Sequence, residues 1–557
     1  MKRHIWLAAA LFAVFSALYL GTPTGNYTFD AVSYAGMIRL ADQAGPPSLF
    51  HPHHLLFNVV GWVAWRLVRL LSPTSDPLRA LQTMNALAGA AGLAVLFLVL
   101  RHLLIDTAPD EADTRGVNGV AAAAAAAVGV TFGWWVASTD GRANIPPMAA
   151  LLAGFYFAHR TARTASGWSA AGLGASLALA VLLHQSHVLF ALVAAAAILL
   201  APARAWGKLK LAGAFVSALV PIVLVPYALA AWLHGASDTP AALGWALTYA
   251  RSAVWWSFDL PANLGRDFAA VRHAFLAAAP GSTAALPLAA LTSSYGLLMF
   301  SSALVALGVL DRAVGAVRRK QRGHLMPELE GVKGGSVGGE VRPPDPLPVF
   351  NVLAGVWIAA YAAFFTVWNP GYFVFWIPVA TAWVMLLAVD ASAWTERRFV
   401  IWTGTAAALC FMVTNFGLYI LPKMPEESNR NVLVARQVGA STPRNSVIVV
   451  AGMGYLAQME VYIPYFGGRE TVSVHESMSR YGRAGVAQLA ARIKRKLSAG
   501  GQVYVFGEVF RPGPAWRQLE KRYGLRREML NQVLTSFRPA EAFRVPGQTV
   551  YRLAAGP

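Results

Sequence analysis

Long apolar runs are the feature that most limits what this chain can become. Eleven of them are long enough to cross a bilayer, at roughly 4–21, 80–101, 117–138, 145–160, 168–184, 187–203, 210–233, 286–310, 348–367, 372–391 and 399–421. Of the 557 residues, 56% are hydrophobic and 13% are charged, about half the charged fraction of a soluble protein. We therefore predict an all-α polytopic membrane protein with about 11 transmembrane helices.

The basic residues decide whether the segment 55–71 is a twelfth span. If it does not cross, the basic groups of every short loop fall in the cytoplasm, as the positive-inside rule requires, whereas a crossing would move nearly all of them outside. The segment itself carries Arg66 and Arg69 on one helical face near Trp62 and Trp65. We therefore predict an amphipathic helix that lies on the outer surface of the membrane. The basic groups are Lys2/Arg3, Arg101/Arg115, Arg160/Arg163, Arg204/Lys208/Lys210, 318–322 and Arg397/Arg398.

This topology divides the chain into three parts. A transmembrane domain covers 1–421, with outer loops at 22–79, 138–147 and 234–285 and a cytoplasmic linker loop at 311–347 that is rich in Gly, Pro and charge. After it, "SVIVVAGMG" and "GQVYVFGEVF" have the pattern of buried strands, and "RAGVAQLAARIKRKL" has helical periodicity. We predict that 422–557 forms a small α/β domain outside the cytoplasm.

The net charge does not indicate nucleic-acid binding in this chain, and the single cysteine excludes an intrachain disulfide. A formal net charge of +19 would suggest nucleic acid in a soluble chain, but here the positive-inside rule accounts for much of it and anionic membrane lipids are the expected partner. Cys410 stands alone, so no intrachain disulfide can form.

Two acids on the predicted outer loops are the candidate catalytic residues. Asp30 follows "YTF" at the start of a short helical pattern, so it fits either an N-cap or a general base at the membrane interface. Asp140 lies in "STDGRANIPP", where Asp-Gly is also a turn signal. If both loops converge, the two carboxylates can share a substrate or a divalent metal, although two carboxylates alone are a weak metal signal.

Histidines, arginines and an aromatic turn are the candidate substrate-binding groups. "HPHH" has no cysteine and no nearby glutamate to complete a zinc site, so we predict phosphate contacts or interfacial anchoring there. The two histidines of "HQSH" span a turn, where they can cap helix carbonyls, contact a polar substrate or, as the least favoured alternative, ligate a metal, and we predict no metal site. Basic side chains on the outer loops can neutralise a lipid phosphate, and the aromatic turn "WNPGYF" can contact a lipid chain. The candidates are His51, His53, His54, Arg142, His184, His187, Arg251 and Tyr372.

The order of these motifs resembles the GT-C superfamily of membrane glycosyltransferases. It is most similar to the bacterial branch that resembles protein O-mannosyltransferases, in which an early acid of the first outer loop precedes a His-Pro run and an interfacial helix. Here these are Asp30 and "HPHHLLF"; "LLHQSHVLF" and "PGYFVFWIP" are similar to further motifs of that family. The resemblance covers roughly 1–235 and does not include the C-terminal domain.

The resemblance implies a reaction, a donor and a location. Such enzymes pass a sugar from a polyprenyl-phosphate carrier to a protein, lipid or envelope glycan outside the cytoplasm, usually with inversion. It assigns Asp30 as the base and Asp140 as the acid of the second loop, and it implies no certain cofactor. It also implies a multi-pass protein of the bacterial cytoplasmic (inner) membrane. In that membrane the N-terminus would be cytoplasmic and the C-terminal domain periplasmic or extracellular.

Two other functions stay open from the sequence alone. A transporter or a flippase of lipid-linked precursors would place ionisable groups near the bilayer midplane, and a non-catalytic anchor would present the basic outer domain. In this chain the polar groups gather at the predicted outer ends of the spans, which favours surface chemistry.

Overall fold

The computed structural model describes residues 2–107, 114–251, 255–277, 345–452, 458–510 and 537–555, with a few positions between 516 and 528. The chain divides into two compact units. The larger comprises Met1–Pro23 and Ala41–Leu421, and the smaller comprises Thr24–Leu40 and Pro422–Pro557. The first predicted outer loop is thus shared between the two units, and Asp30 belongs to the smaller one. The predicted span at 286–310 and the linker up to residue 344 lie outside the described residues.

The regular structure in the described part of the larger unit is helical, apart from an isolated antiparallel bridge between Trp256 and Trp368. Its first helices are α1 (Lys2–Gly21), α2 (Phe29–Ala44, which starts in the smaller unit), α3 (Phe57–Leu71), α4 (Pro77–Asp106), α5 (Thr114–Gly129), α6 (Phe132–Thr139), α7 (Pro146–Thr164), α8 (Gly167–Leu183) and α9 (Ala191–Leu200). They are followed by α10 (Ala205–Leu233), α11 (Thr239–Ala246), α12 (Thr248–Arg251), α13 (Leu260–Phe275), α14 (Pro346–Val367), α15 (Ile377–Trp394) and α16 (Arg397–Asn415).

The described helices include several that can cross a membrane. Six are long and apolar enough within the described ranges, or seven if α5 and α6, which meet at a 65° bend, count as one span. Two further apolar helices, Gly167–Leu183 and Gln185–Leu200, are shorter. The predicted polytopic helical fold is confirmed, and the count of eleven spans stays a prediction.

Helix α3 has the amphipathic character that the sequence predicted. It has 15 residues, and Arg66 and Arg69 both form ion pairs with Asp42. The same helix leaves large apolar side chains exposed, with Leu70 79% and Leu71 92% accessible. A helix of this kind can bury its apolar side in a membrane interface while its arginines stay in water. Its place on the outer surface remains a prediction.

Close packing in the larger unit depends on small residues. Helices α8 and α10 pack side by side, and a Cβ added to Gly174 would collide with the main-chain carbonyl of Phe215. Because helices in a membrane gain little from the hydrophobic effect between them, such close backbone approaches supply much of their attraction. Gly174 is therefore a position where a side chain would force the two helices apart.

The smaller unit contains one five-stranded sheet in its described part. The strands are β1 (Val447–Val450), β2 (Glu470–Ser473), β3 (Val503–Phe506), β4 (Phe537–Val545) and β5 (Gln548–Ala555), in the order β2-β1-β3-β5-β4. Strand β1 pairs in parallel with β2 and β3, while β5 runs antiparallel to β3 and β4. The two predicted strands and the predicted helix, which spans Gly485–Ser498, are confirmed.

The core of the smaller unit lies between that helix and the sheet. Val486, Leu489 and Ile493 fall on one helical face and pack against buried valines of β1 and β3. The segment 24–40 joins this unit through specific contacts. Tyr462 donates a hydrogen bond to the Tyr27 carbonyl at 2.6 Å, and the Arg39 guanidinium lies 4.0 Å from the ring centre of Tyr465.

Candidate active site

Two histidine-bearing segments of the larger unit lie side by side. Helix α8 ends at Leu183, and His184 turns the chain into an extended conformation before a short 3₁₀ turn, Gln185–Phe190. The main-chain N–H of Gln185 donates to the His53 carbonyl at 2.9 Å, and that of Leu56 donates to the Leu182 carbonyl at 2.9 Å. These backbone hydrogen bonds fix the register of "HPHH" against "HQSH".

The result is a compact group of imidazole rings. The ring centres of His53, His54 and His184 are 4.6, 4.7 and 4.4 Å apart, all in edge-to-face contact. All three side chains are buried, and one nitrogen of each ring lies within 4.8 Å of the others. In the sequence these histidines belong to two separate motifs, whereas in the structure His53, His54 and His184 form one cluster, which we call the histidine triad.

Two more histidines border the triad. His51 stacks on His54 with ring centres 5.4 Å apart, and its Nε2 lies 2.8 Å from the Tyr249 hydroxyl. His187 lies 5.3 Å from His184 between ring centres, and its Nδ1 is 2.9 Å from the Tyr361 hydroxyl.

Burial sets the charge state of the loop histidines. Removal from water lowers the pKa of His51 to about 3 and of His53 to about 4, because the charged form loses its hydration. Burial likewise lowers the pKa of His54 well below the usual range, and the neighbouring His184 adds to the effect. At neutral pH these rings are therefore uncharged. They can contact a phosphate as neutral hydrogen-bond donors, or they can hold a metal ion that contacts it.

The aromatic turn after α14 packs against the triad. Asn369 and Gly371 both have positive φ, at 52° and 84°, which lets the chain reverse sharply there. The turn is held by the main-chain N–H of Gly371, which donates to Asp267 Oδ1 at 3.0 Å. Trp368 lies 5.6 Å from His53 and Phe375 lies 6.0 Å from His184, measured between ring centres.

On another side of the same turn lies a buried ion pair. Arg142 Nε is 3.0 Å from Asp140 Oδ2, and their side chains are only 6% and 1% exposed. The Gly141 N–H donates to the other carboxylate oxygen at 2.9 Å. The guanidinium carbon of Arg142 is 5.9 Å from the ring centre of Phe373, the residue that follows Tyr372 in the turn.

A polar side chain inside α4 supports the loop that carries this pair. Asn85 is fully buried, and its side-chain amide donates to the carbonyl oxygens of Asp140 and Arg142, both at 2.6 Å. Sequence reasoning missed Asn85, although an amide near the start of the long apolar run 80–101 was a usable signal. It also missed Tyr249 and Gln185, whose partners are distant in sequence.

Not all predicted site residues join these groups. Arg251 is exposed at the end of α12. Asp30 lies in the first turn of α2 and is partly buried. The N-cap interpretation of Asp30 is wrong, because the Ala31 N–H is instead 3.3 Å from the Thr28 hydroxyl, which places the cap two residues earlier.

Comparison with known proteins identifies the fold. No protein-family model and no curated protein sequence matches the chain. Among solved structures, ArnT from Cupriavidus metallidurans bound to undecaprenyl phosphate matches with a TM-score of 0.58 and 13% identity, covering 99% of each chain. The apo structure of the same protein gives a TM-score of 0.59 at 13% identity and the same coverage.

At this identity the likeness shows the fold alone, and this chain shares the fold of the ArnT structures over 99% of its length. The C-terminal domain, for which the sequence offered no resemblance, is included in that match. The Pmt1–Pmt2 protein O-mannosyltransferase of S. cerevisiae covers 49% of this chain and 37% of its own, at 15% identity. Its TM-score of 0.34 is too low to support a statement about the fold.

Proposed function

We propose that this protein is a membrane glycosyltransferase that moves a sugar from a polyprenyl-phosphate donor to an acceptor outside the cytoplasm, with inversion. The observation that carries the proposal is the fold, shared over 99% of both chains with an ArnT structure that holds undecaprenyl phosphate. That this chain uses a polyprenyl-phosphate donor, and that its acceptor lies outside the cytoplasm, are our inferences.

The polar groups of the larger unit support this function. A lipid phosphate needs positive charge and hydrogen-bond donors in a place shielded from water, where electrostatic interactions are stronger. Arg142 meets this need: Asp140 binds its Nε, so the terminal nitrogens of the guanidinium are those we assign to the phosphate. Asp140 is then a positioning residue for Arg142, and the aromatic turn with Tyr372 is the element assigned to the lipid.

Asp30 is the residue we assign as general base. In the proposed step, the acceptor oxygen attacks the anomeric carbon, and the bond between that carbon and the phosphate oxygen breaks. Polyprenyl phosphate leaves with the electron pair, and Asp30 takes the proton of the acceptor hydroxyl. A single displacement of this kind inverts the anomeric centre and needs no covalent enzyme intermediate.

The test begins with cells that lack the protein. The masses of their lipids, glycans and envelope proteins are compared with the parent, and the missing sugar defines the assay. The wild-type gene should restore that sugar. Asp30→Asn should lower transfer by about 10²- to 10⁴-fold, the usual contribution of a general base.

Asp42→Asn is the matched control, since it also removes a carboxylate from the first outer loop but breaks only the ion pairs to α3. We expect it to keep transfer near the wild-type rate. If Asp30→Asn transfers sugar as fast as wild type, the assignment of the base is wrong. If no sugar changes in cells lacking the protein, the proposed function itself fails.

A further inference from the structure

The histidine triad brings one nitrogen of each of three imidazole rings within 4.8 Å of the others, close enough for them to share one metal ion. In a zinc site the metal–nitrogen distance is about 2.1 Å, so an imidazole centre lies roughly 3.2 Å from the metal. Rings that converge on one ion at the tetrahedral angle would then have centres about 5.2 Å apart. The observed separations are 4.6, 4.7 and 4.4 Å. Each pair would therefore have to move apart by about 0.5 to 0.8 Å to surround one tetrahedral ion.

The tautomer of His53 is set by its neighbours. The side-chain N–H₂ of Gln185 donates to the Ala246 carbonyl at 3.0 Å, which fixes the orientation of the amide. The amide oxygen of Gln185 therefore faces Nδ1 of His53, at 3.3 Å, and accepts its proton. Nε2 of His53 is then the nitrogen with the lone pair, and it is buried with no hydrogen-bond partner in the described part of the chain.

The other two rings also have one nitrogen held by a neighbour. Nδ1 of His184 accepts the main-chain N–H of Ser186 at 3.4 Å and lies 2.8 Å from the Ser186 hydroxyl. Metal binding through Nε2 therefore requires the ring proton to move to Nδ1, where Ser186 Oγ can accept it. The His54 ring is hydrogen-bonded to the Leu183 carbonyl. A second partner that holds the non-ligating nitrogen is the usual arrangement around metal-bound histidines.

The bordering histidine of the same motif does not fit. Nδ1 of His51 accepts the main-chain N–H of His53 at 3.3 Å, and its Nε2 is 2.8 Å from the Tyr249 hydroxyl. Both nitrogens of His51 are engaged, so His51 is a supporting residue of the triad.

We propose that His53, His54 and His184 bind one divalent transition-metal ion of the zinc class and leave a coordination position open for an anionic oxygen. Three neutral imidazoles suit Zn²⁺ or Co²⁺ better than Mg²⁺, which requires oxygen ligands. They also leave the full charge of the ion uncompensated, so the open position attracts an anion. That this anion is the phosphate of the lipid donor rests on the proposed function.

This proposal differs from the expectation from sequence that the histidine motifs form no metal site. Each motif alone offers too few ligands, because "HPHH" supplies His53 and His54 while the third nitrogen comes from "HQSH". A metal would also give the unpartnered Nε2 of His53 the interaction that a buried polar atom needs.

The experiment uses full-length protein purified through a tag without histidines, stripped with a chelator and titrated with Co²⁺. Bound metal is measured by mass spectrometry after desalting, and the ligand field is measured by visible absorption. We expect about one Co²⁺ per chain. Gln185→Ala should weaken binding by about 10- to 100-fold, as for other residues that orient a metal-bound histidine. His184→Asn should abolish it, and His234→Asn, at the end of α10, should leave it unchanged.

The outcomes separate the metal site from the proposed function. Wild-type protein that binds no Co²⁺ overturns the metal site without reference to any variant, and sugar transfer can still be tested. If His102→Asn abolishes Co²⁺ binding and His184→Asn does not, the metal belongs to the second described group, His102, Asp106 and His159. That result would also overturn the proposed site at the histidine triad. Addition of polyprenyl phosphate to the Co²⁺ protein should change the absorption spectrum, and an unchanged spectrum would refute the open position.

Discussion

Removing either partner of the buried ion pair between Asp140 and Arg142 should destabilise the protein, but the stability loss should depend on pH in only one of the two variants. Both side chains are at most 6% exposed, with a nitrogen–oxygen distance of 3.0 Å. Removing one partner of such a pair leaves a buried charge without compensation and typically costs about 3–5 kcal/mol. The two orphaned charges, however, have different ways to relax.

An orphaned carboxylate can take up a proton, whereas an orphaned guanidinium cannot lose one. Protonation costs 1.36 kcal/mol for each unit between the pH and an ordinary carboxyl pKa of about 3.9, or about 4 kcal/mol at pH 7. In Arg142→Met the penalty of the orphaned charge should therefore be no more than about 4 kcal/mol at pH 7, and about 1.4 kcal/mol less at pH 6. Asp140→Asn has no such limit, and its loss should not change over this range.

The measurement is the free energy of unfolding in mixed micelles, by titration with a denaturing detergent at pH 6 and pH 7. The double variant Asp140→Asn/Arg142→Met removes both charges, so it should be more stable than Asp140→Asn alone. Single variants that each lose less than about 1 kcal/mol would show that the pair is solvated and would refute the argument. So would equal pH dependence in the two single variants.

Three further predictions concern other parts of the chain. Burial raises the pKa of Glu460 and of Glu508 from 4.5 to about 7. The smaller unit should therefore lose stability as the pH rises from 4.5 to 7, by up to about 3 kcal/mol per carboxyl. Replacing either Glu by Gln should flatten this pH dependence, measured by the rate of proteolysis of the full-length protein. Gly174→Ala should cost about 1–3 kcal/mol of unfolding free energy because its Cβ collides with the backbone of α10, whereas Gly213→Ala in α10, which meets no atom within 4 Å, should be neutral or stabilising. A reporter enzyme fused after the last residue should be active only outside the cytoplasm, and cytoplasmic activity would refute the predicted topology.

The sequence predicted the elements whose signal is local. Apolar length and loop charge were enough for the long helices and for the amphipathic character of α3, because these depend on composition within some twenty residues. Period-two and period-3.6 patterns likewise identified β1, β3 and the helix Gly485–Ser498. The bend between α5 and α6 was not predicted, since an unbroken apolar run from 117 to 138 carries no strong breaker at Val130 and Thr131.

The site could be predicted only as a set of residues, without its pairings. His53 and His184 are 131 positions apart, and the two motifs that hold them were interpreted separately. Asp140 and Arg142 were assigned different roles, although they are two residues apart and form one ion pair. Spacing in sequence does not show which side chains share a buried environment, so the neutral state of the histidines also had to come from the structure.

The most informative sequence signal that the motifs did not include was a polar residue inside an apolar segment. A buried amide must find partners, because leaving it unsatisfied costs about 1–3 kcal/mol. Asn85 finds them in the carbonyls of the loop that carries Asp140. This amide thus lies directly beside the buried Asp140–Arg142 ion pair. In this chain, the amide within the apolar run 80–101 therefore indicated where a distant loop must approach, and where a site can form.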